Sequence, residues 1–240
     1  MILALDVGNS RIKWGLYDGE AWRRKGWTPL SDIAALDTDL ISIEVPARIV
    51  ISNVAGQKIH SELEKRMSHW PCELSWIAAQ AEQCGVSNRY NTPTQLGSDR
   101  WVALIAAWRR CGRSCVVVNA GTAMTVDALS DRGEFLGGLI VPGLTTMQSA
   151  LAANTAALEM APGCYCDFPT RTEDAIFSGA VSAMAGAVEK MVAMLGIRQG
   201  HTPDCLISGG DACLVYEQLS VAATIVDNLV LDGLIEIAQG

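Results

Sequence analysis

The chain has 240 residues, of which 50% are hydrophobic and 18% charged, with a formal net charge of −8. This composition supplies a sizeable core and excludes intrinsic disorder. The acidic balance, with a pI near 4.9, argues against a nucleic-acid-binding face and against attraction to an anionic membrane.

Ile2 to Val7 is a short apolar run ending at Gly8 and predicts a buried strand. Asp6 interrupts the apolar start, so no signal-peptide core forms. Ile12, Trp14 and Leu16 alternate with Lys13, Gly15 and Tyr17, the period of a second strand. Asp18-Gly19 signals a hairpin into a third strand over Trp22 to Trp27. A helix is expected over Leu30 to Leu36, a strand over 49–54, and a strand over 74–77. Ile59, Leu63 and Met67 recur at helical spacing and predict a helix over 57–68. An apolar helix from Trp101 to Trp108 follows Gly97-Ser98-Asp99-Arg100.

The second half repeats the order. Strands are expected at Cys115 to Val118, Met124 to Val126 and Phe135 to Val141, with a turn at Asp131-Arg132-Gly133. Helices follow near 144–156 and 172–195, then a strand over Cys205 to Ser208 and a last helix near 227–238. The longest uncharged run, Phe135 to Leu158, is broken by Gly137-Gly138, Pro142-Gly143, Gln148 and Asn154, and reads as strand, turn and helix rather than a membrane span. The repeat predicts an α/β chain of two similar domains, 1–112 and 113–240. Eight cysteines, with no CxxC pair, read as reduced thiols of a cytoplasmic protein, and no structural metal site is expected.

Chemistry concentrates in the loops that follow strands. Asp6-Val7-Gly8-Asn9-Ser10 ends the first strand: amides 8–10 can face an anion, Asn9, Ser10 and Lys13 add donors, and Asp6 can hold a metal-bound water. An ordinary turn with Asp6 as its cap is the competing reading. Asn119-Ala120-Gly121-Thr122 stands at the matching place in the second repeat, and two such loops would cradle a polyphosphate. Neither loop has Walker A or GxGxxG spacing. Ser208-Gly209-Gly210-Asp211 admits either a flat ligand near the backbone or a plain turn, and Gly137 to Gly143 either a pocket wall or tight packing. Ser98 or Asp99 is a natural helix N-cap, and Asp99 is equally a candidate general base beside Arg100.

Taken together, DVGNSRIKWGLY at 6–17, Tyr90 with LGSDRW at 96–101, NAGTAMTVD at 119–127, GGLIVPG at 137–143, RTEDAIFSG at 171–179 and LISGGDA at 206–212 resemble the type III pantothenate kinases of the acetate and sugar kinase/actin superfamily. The resemblance spans the chain. It implies two ribonuclease-H-like (actin-like ATPase) domains, each a mixed sheet flanked by helices, in a homodimer. It also implies phosphorylation of pantothenate by Mg-ATP, the first step of coenzyme A biosynthesis. Residues then acquire implied roles. Asp6, Gly8, Asn9, Ser10, Lys13, Gly121 and Thr122 would contact ATP, with Asp6 toward Mg²⁺. Tyr90, Gly97, Ser98, Asp99, Arg100 and Thr172 would bind pantothenate, Thr172 from the partner subunit, and Asp99 would accept the proton. Where the family has Asp at a monovalent-cation position, this chain has Asn119, so potassium or ammonium dependence is expected to be weak or altered. Asp127 is expected to be structural. A sugar or acetate kinase, and a catalytically weak nucleotide-binding regulator like the Bvg accessory factors, are the alternatives.

Overall fold

The computed structural model describes residues 1–154 and 161–240; positions 155–156 of the expected helix near 144–156 lie outside them. The chain forms two compact units, Met1–Arg110 together with Asn228–Gly240, and Cys111–Asp227.

In the first unit the order is β1 (Ile2–Val7), β2 (Arg11–Tyr17), β3 (Trp22–Pro29), α1 (Ala35–Leu40), β4 (Arg48–Asn53), α2 (Gln57–Met67), β5 (Glu73–Ile77), β6 (Glu82–Gln83), β7 (Val86–Asn88) and α3 (Ser98–Cys111). The sheet order is β3-β2-β1-β4-β5. β2 runs antiparallel to β1 and β3, whereas β4 runs parallel to β1 and β5.

The second unit holds β8 (Cys115–Ala120), β9 (Ala123–Leu129), β10 (Glu134–Pro142), α4 (Leu144–Asn154), α5 (Thr172–Gln199), β11 (Asp204–Ser208), α6 (Ala212–Tyr216) and β12 (Thr224–Ile225). Its strands lie in the order β10-β9-β8-β11-β12 with the same senses: an antiparallel meander, then two parallel strands. This is the ribonuclease-H-like arrangement, present twice. The last helix, α7 (Leu229–Gln239), packs on β1 and β4 of the first unit.

Strand alternation assigns the two faces of the first sheet. Leu3, Leu5 and Val7 stand opposite Leu16, Trp14 and Ile12 and are buried against Leu36 and Leu40 of α1 and Leu63 and Met67 of α2. The same alternation turns Ala4 and Asp6 of β1, with Val50 and Ser52 of β4, to the other face. α7 covers that face, and its Gly233 meets α3 so closely that a Cβ would lie 2.0 Å from the Val102 carbonyl oxygen. The second core joins Val116, Val118, Met124 and Val126 to Val181, Met184, Val188, Val192 and Leu195 of α5. By length and composition α5 is apolar enough to cross a membrane, but this inner stripe is the core of the unit.

Two expectations are corrected, and one hairpin was not foreseen. Residues 228–240 belong with the first unit rather than with 113–227, because α7 buries Leu229, Val230, Leu231, Leu234 and Ile235 there. The helix expected at 30–36 is a 3-10 turn at Leu30–Asp32 followed by α1 at Ala35–Leu40, a position set by burial of the i, i+4 pair Leu36 and Leu40. The β6–β7 hairpin carries no turn signal of the usual kind: Cys84 (φ 49°) and Gly85 (φ 79°) both adopt positive φ, and Cys is uncommon there.

At the head of β8 a polar cluster ties three connections together. Asp131 Oδ1 accepts from the Ser114 amide at 2.8 Å and Asp131 Oδ2 lies 2.8 Å from His201 Nε2. The bond to Asp131 holds the His201 pKa above its ordinary value and holds the Asp131 carboxyl below its own. A histidine raised on folding adds stability that is fully present below pH 6.5 and lost as pH rises through its folded pKa. The melting-temperature gap between wild type and His201→Ala is therefore expected to be larger at pH 6 than at pH 8.5. Melts showing an equal gap at both values would remove His201 from the pH response.

Candidate functional site

The C-terminal end of β1 carries the first group of candidates. Asp6 is 7% exposed and faces Lys13 across the β1–β2 ladder, with Lys13 Nζ 3.7 Å from Asp6 Oδ2. Burial pushes the Asp6 pKa from 3.8 up to about 6; Lys13 opposes this, and the nearby Asp99 carboxylate adds to it. The loop between the strands is closed by the Gly8 amide donating to the Arg11 carbonyl at 3.0 Å, leaving Asn9 and Ser10 exposed. A Cβ at Gly8 would meet only the Arg11 oxygen at 3.5 Å, an ordinary contact, so the turn itself does not require glycine. This end thus combines a bonded turn with a buried carboxylate paired to Lys13 and close to Asp99.

The second group stands at the start of α3. The Gly97 carbonyl accepts from the Trp101 amide at 3.0 Å, so Gly97 holds the cap position and Ser98, Asp99 and Arg100 form the first turn. Neither Ser98 nor Asp99 is the cap. Asp99 Oδ1 accepts from the Arg100 amide at 2.8 Å, and a Cβ on Gly97 would lie 2.6 Å from that same oxygen. Burial raises the Asp99 pKa, while the Arg100 amide and guanidinium and Lys13 pull it down. Arg100 is buried and donates from Nη1 to the Tyr90 hydroxyl at 3.0 Å. Tyr90 is placed by Asn88, whose Oδ1 accepts the Tyr90 amide at 3.0 Å and whose Nδ2 reaches the Pro93 carbonyl at 3.1 Å. Ser98 Oγ lies 2.8 Å from Ser52 Oγ, both buried. The first unit thus gathers Asp6, Gly8, Asn9, Ser10, Lys13, Tyr90, Gly97, Ser98, Asp99 and Arg100. Ser52 was missed in sequence, where it reads as part of an apolar strand; its register beside Asp6 was the available signal.

In the second unit Asn119 occupies in β8 the place of Asp6 in β1. Its ladder partners are Thr125 on β9 and Ser208 on β11, where Asp6 has Lys13 and Ser52. The loop after it is packed from two sides. The Thr122 carbonyl accepts from the Gly143 amide at 3.0 Å and from Thr146 Oγ1 at 2.6 Å, and a Cβ at Gly143 would stand 1.8 Å from the Gly121 oxygen. Gly209, at φ +107°, lies where a Cβ would be 2.1 Å from the Ala120 oxygen, and the Asp211 amide donates to that oxygen at 3.1 Å. Gly143 and Gly209 are therefore packing glycines, whereas Gly210 has open space. Thr172 is the exposed first residue of α5, and Asp127 is buried in the middle of β9.

Among the described residues no three His, Cys, Asp or Glu side chains gather as a metal cluster. The Asp6 environment still fits Mg²⁺, which keeps several waters and takes one or two carboxylates together with substrate phosphates. Asp99 adds to the raised proton affinity of Asp6, and Lys13 faces both carboxylates, so a divalent cation at Asp6 would relieve the repulsion there.

A duplicated ribonuclease-H-like unit with a tight loop after its first strand and a buried carboxylate at that strand's end defines the actin-like class of sugar kinases and ATPases. Two solved structures show the fold. A Sinorhizobium meliloti protein described as a 2-dehydro-3-deoxygalactonokinase has a TM-score of 0.66 and 17% identity, covering 100% of this chain and 98% of its own. A Campylobacter jejuni protein described as a Baf family transcriptional activator has a TM-score of 0.67 and 20% identity, covering 99% and 97%. At these identities the likeness carries the fold alone. The family model for type III pantothenate kinase matches residues 2–194. The type III pantothenate kinase of Nitrosospira multiformis is 50% identical over 239 residues, covering 100% of this chain and 91% of that protein. That of Nitrosomonas eutropha is 44% identical over 243 residues, covering 99% and 94%. The chain belongs to the type III pantothenate kinase family.

Asp6 yields a stability prediction. A carboxylate whose folded pKa is raised from 3.8 to about 6 contributes its stability at low pH and loses it as pH rises through 6. At neutral pH its burial costs up to about 3 kcal/mol. Nucleotide-free Asp6→Asn is expected to melt higher than wild type at pH 7.5, with the gap closing toward pH 4. A lower melting temperature for the variant at pH 7.5 would mean that the Lys13 pair outweighs the burial.

Proposed function

We propose a division of labour among these residues for the reaction of a type III pantothenate kinase, ATP-dependent phosphorylation of pantothenate to 4′-phosphopantothenate in coenzyme A biosynthesis. The observation that carries it is the constellation of Asp6, Lys13 and Asp99: a buried carboxylate whose proton affinity a second, partly buried one raises, with Lys13 near both and Arg100 beside the second, next to the exposed Asn9 and Ser10. Phosphoryl transfer requires positioning and charge neutralisation more than covalent chemistry. Amides of Asn9 and Ser10 and the Lys13 ammonium hold ATP phosphates, the Gly8 amide being taken up by the Arg11 carbonyl, and Gly121 and Thr122 contact the nucleotide. Mg²⁺, when bound with ATP at Asp6, neutralises phosphate charge. Tyr90, Gly97, Ser98 and Arg100 hold pantothenate. Asp99 takes the hydroxyl proton as the oxygen bonds to the γ-phosphorus and ADP leaves. Its raised proton affinity suits that role, because a base near its operating pH transfers protons best.

Thr172 reaches pantothenate from the partner of a homodimer. Exposed Leu139 and Ile140 on β10 and Leu151 on α4 support such a partner, since a second copy would cover them. Eight free thiols, several of them exposed, support a reducing cytoplasmic setting. The accessory-factor reading is not favoured, because the relatives that cover the chain carry the kinase name.

The test is ADP release from Mg-ATP with and without pantothenate. Release that depends on pantothenate is expected, and Asp99→Asn is expected to lower turnover by about 10²-fold or more with little change in melting temperature. Near-normal turnover of that variant would leave Asp99 as a structural residue of the helix start. Asn119, lacking a charge at the place where β1 carries Asp6, supports a weak response to potassium. Turnover is expected to change little across a potassium titration in wild type and to respond more strongly in Asn119→Asp. The same response in both would detach residue 119 from cation use.

A further inference from the structure

Asp6 and Asp99 come from opposite ends of the first unit's chain, one from its first strand and one from its third helix. Their roles as metal-side carboxylate and proton acceptor require the two to keep a fixed relation. The β1–β4 ladder places Ser52 directly beside Asp6 and on the same face of the sheet. Ser52 is 0% exposed, and its hydroxyl meets the Ser98 hydroxyl at 2.8 Å. Ser98 precedes Asp99 in the first turn of α3. Resting on the kinase reading of this site, we propose that Ser52 is a positioning residue: its hydroxyl bond to Ser98 anchors the first turn of α3 to the strand beside Asp6 and so fixes where Asp99 meets the substrate hydroxyl.

Three features support the assignment. The bond joins two buried hydroxyls, and buried polar groups are retained where their pairing specifies a geometry. The contact spans 46 residues of sequence, so it fixes tertiary placement rather than local helix form. In the second unit, Ser208 holds the place of Ser52 in the ladder and donates to the Asp227 carbonyl at 3.3 Å. At this strand position the Ser52 hydroxyl meets the start of a helix, and the Ser208 hydroxyl donates to a loop carbonyl.

Ser52 touches neither substrate in this assignment, so its loss should act on kcat. Ser52→Ala is expected to lower kcat about tenfold while the KM for ATP stays within about twofold, because the phosphate loop is built from β1 and β2 alone. Ser98→Ala, which also removes a side chain placed at the pantothenate site, should lower kcat at least as far and raise the KM for pantothenate. The double variant should fall no further than the worse single variant, since each removes the same bond. Single effects that multiply in the double variant, or an unchanged kcat in folded Ser52→Ala, would overturn the proposal. Should Ser52→Ala fail to fold, Ser98→Ala together with Ser52→Thr, which keeps the hydroxyl, carries the test: kcat should fall in the first and be largely retained in the second, and the reverse order overturns it. Failure of the catalytic reading is separate, because it would appear as undiminished turnover in Asp99→Asn whatever the serine variants do.

Discussion

Much of this site follows from one unfavourable act, the burial of a carboxylate at the end of a central strand. β1 has neighbours on both sides, a helix-packed apolar face below and α7 and α3 toward the other face. Asp6 is thereby removed from water, and Lys13, the cation the ladder sets opposite it, does not restore its usual acidity. A fold gains nothing from such a group if it only has to be stable, because an asparagine of the same shape would fit without the desolvation. Its presence supports the proposal that this charge is met by something brought in with the substrate.

The duplication sharpens this point. Both units use the same strand order, and both place a polar residue at the same position of the first strand, next to a serine on the parallel neighbour. In the first unit the trio is Asp6, Lys13 and Ser52; in the second it is Asn119, Thr125 and Ser208. The scaffold is repeated but the charge is not. The second loop is instead fixed by steric means, with Gly143 and Gly209 pressed against it so tightly that neither position could carry a side chain. One loop of the repeat is thus neutral and held by packing, and the other carries charge.

Sequence periodicity was enough to find the long strands and helices, since Leu3, Leu5 and Val7 against Ile12, Trp14 and Leu16 leave no other register that buries them all. It was not enough to allot the last helix. The stripe of α7 is equally apolar whichever unit it covers, and only the three-dimensional return of the chain brings it to β1. The hairpin at 82–88 was invisible because its turn rests on a cysteine in a glycine-like conformation. Within the site, the motif residues were legible as types. Their partners were not: the Ser52–Ser98 bond and the Tyr90–Arg100 bond join positions whose proximity no local pattern encodes.

The two sequence readings of Asp99, cap or base, turn out to be physically exclusive. A carboxylate at the N-cap accepts amides from the next turn and is held in its charged form, which lowers its pKa and makes it a poor proton acceptor. Here Gly97 takes the cap position with no side chain to contribute, and its missing Cβ is also what leaves room for the Asp99 carboxylate, 2.6 Å from where that atom would stand. Asp99 moves into the first turn, where the Arg100 amide and its own bond the carboxylate, and burial outweighs those bonds and raises its proton affinity. The glycine before Ser-Asp-Arg therefore does two things with one absence: it starts the helix, and it makes room for the Asp99 carboxylate whose proton affinity burial raises, which suits the base role proposed for it.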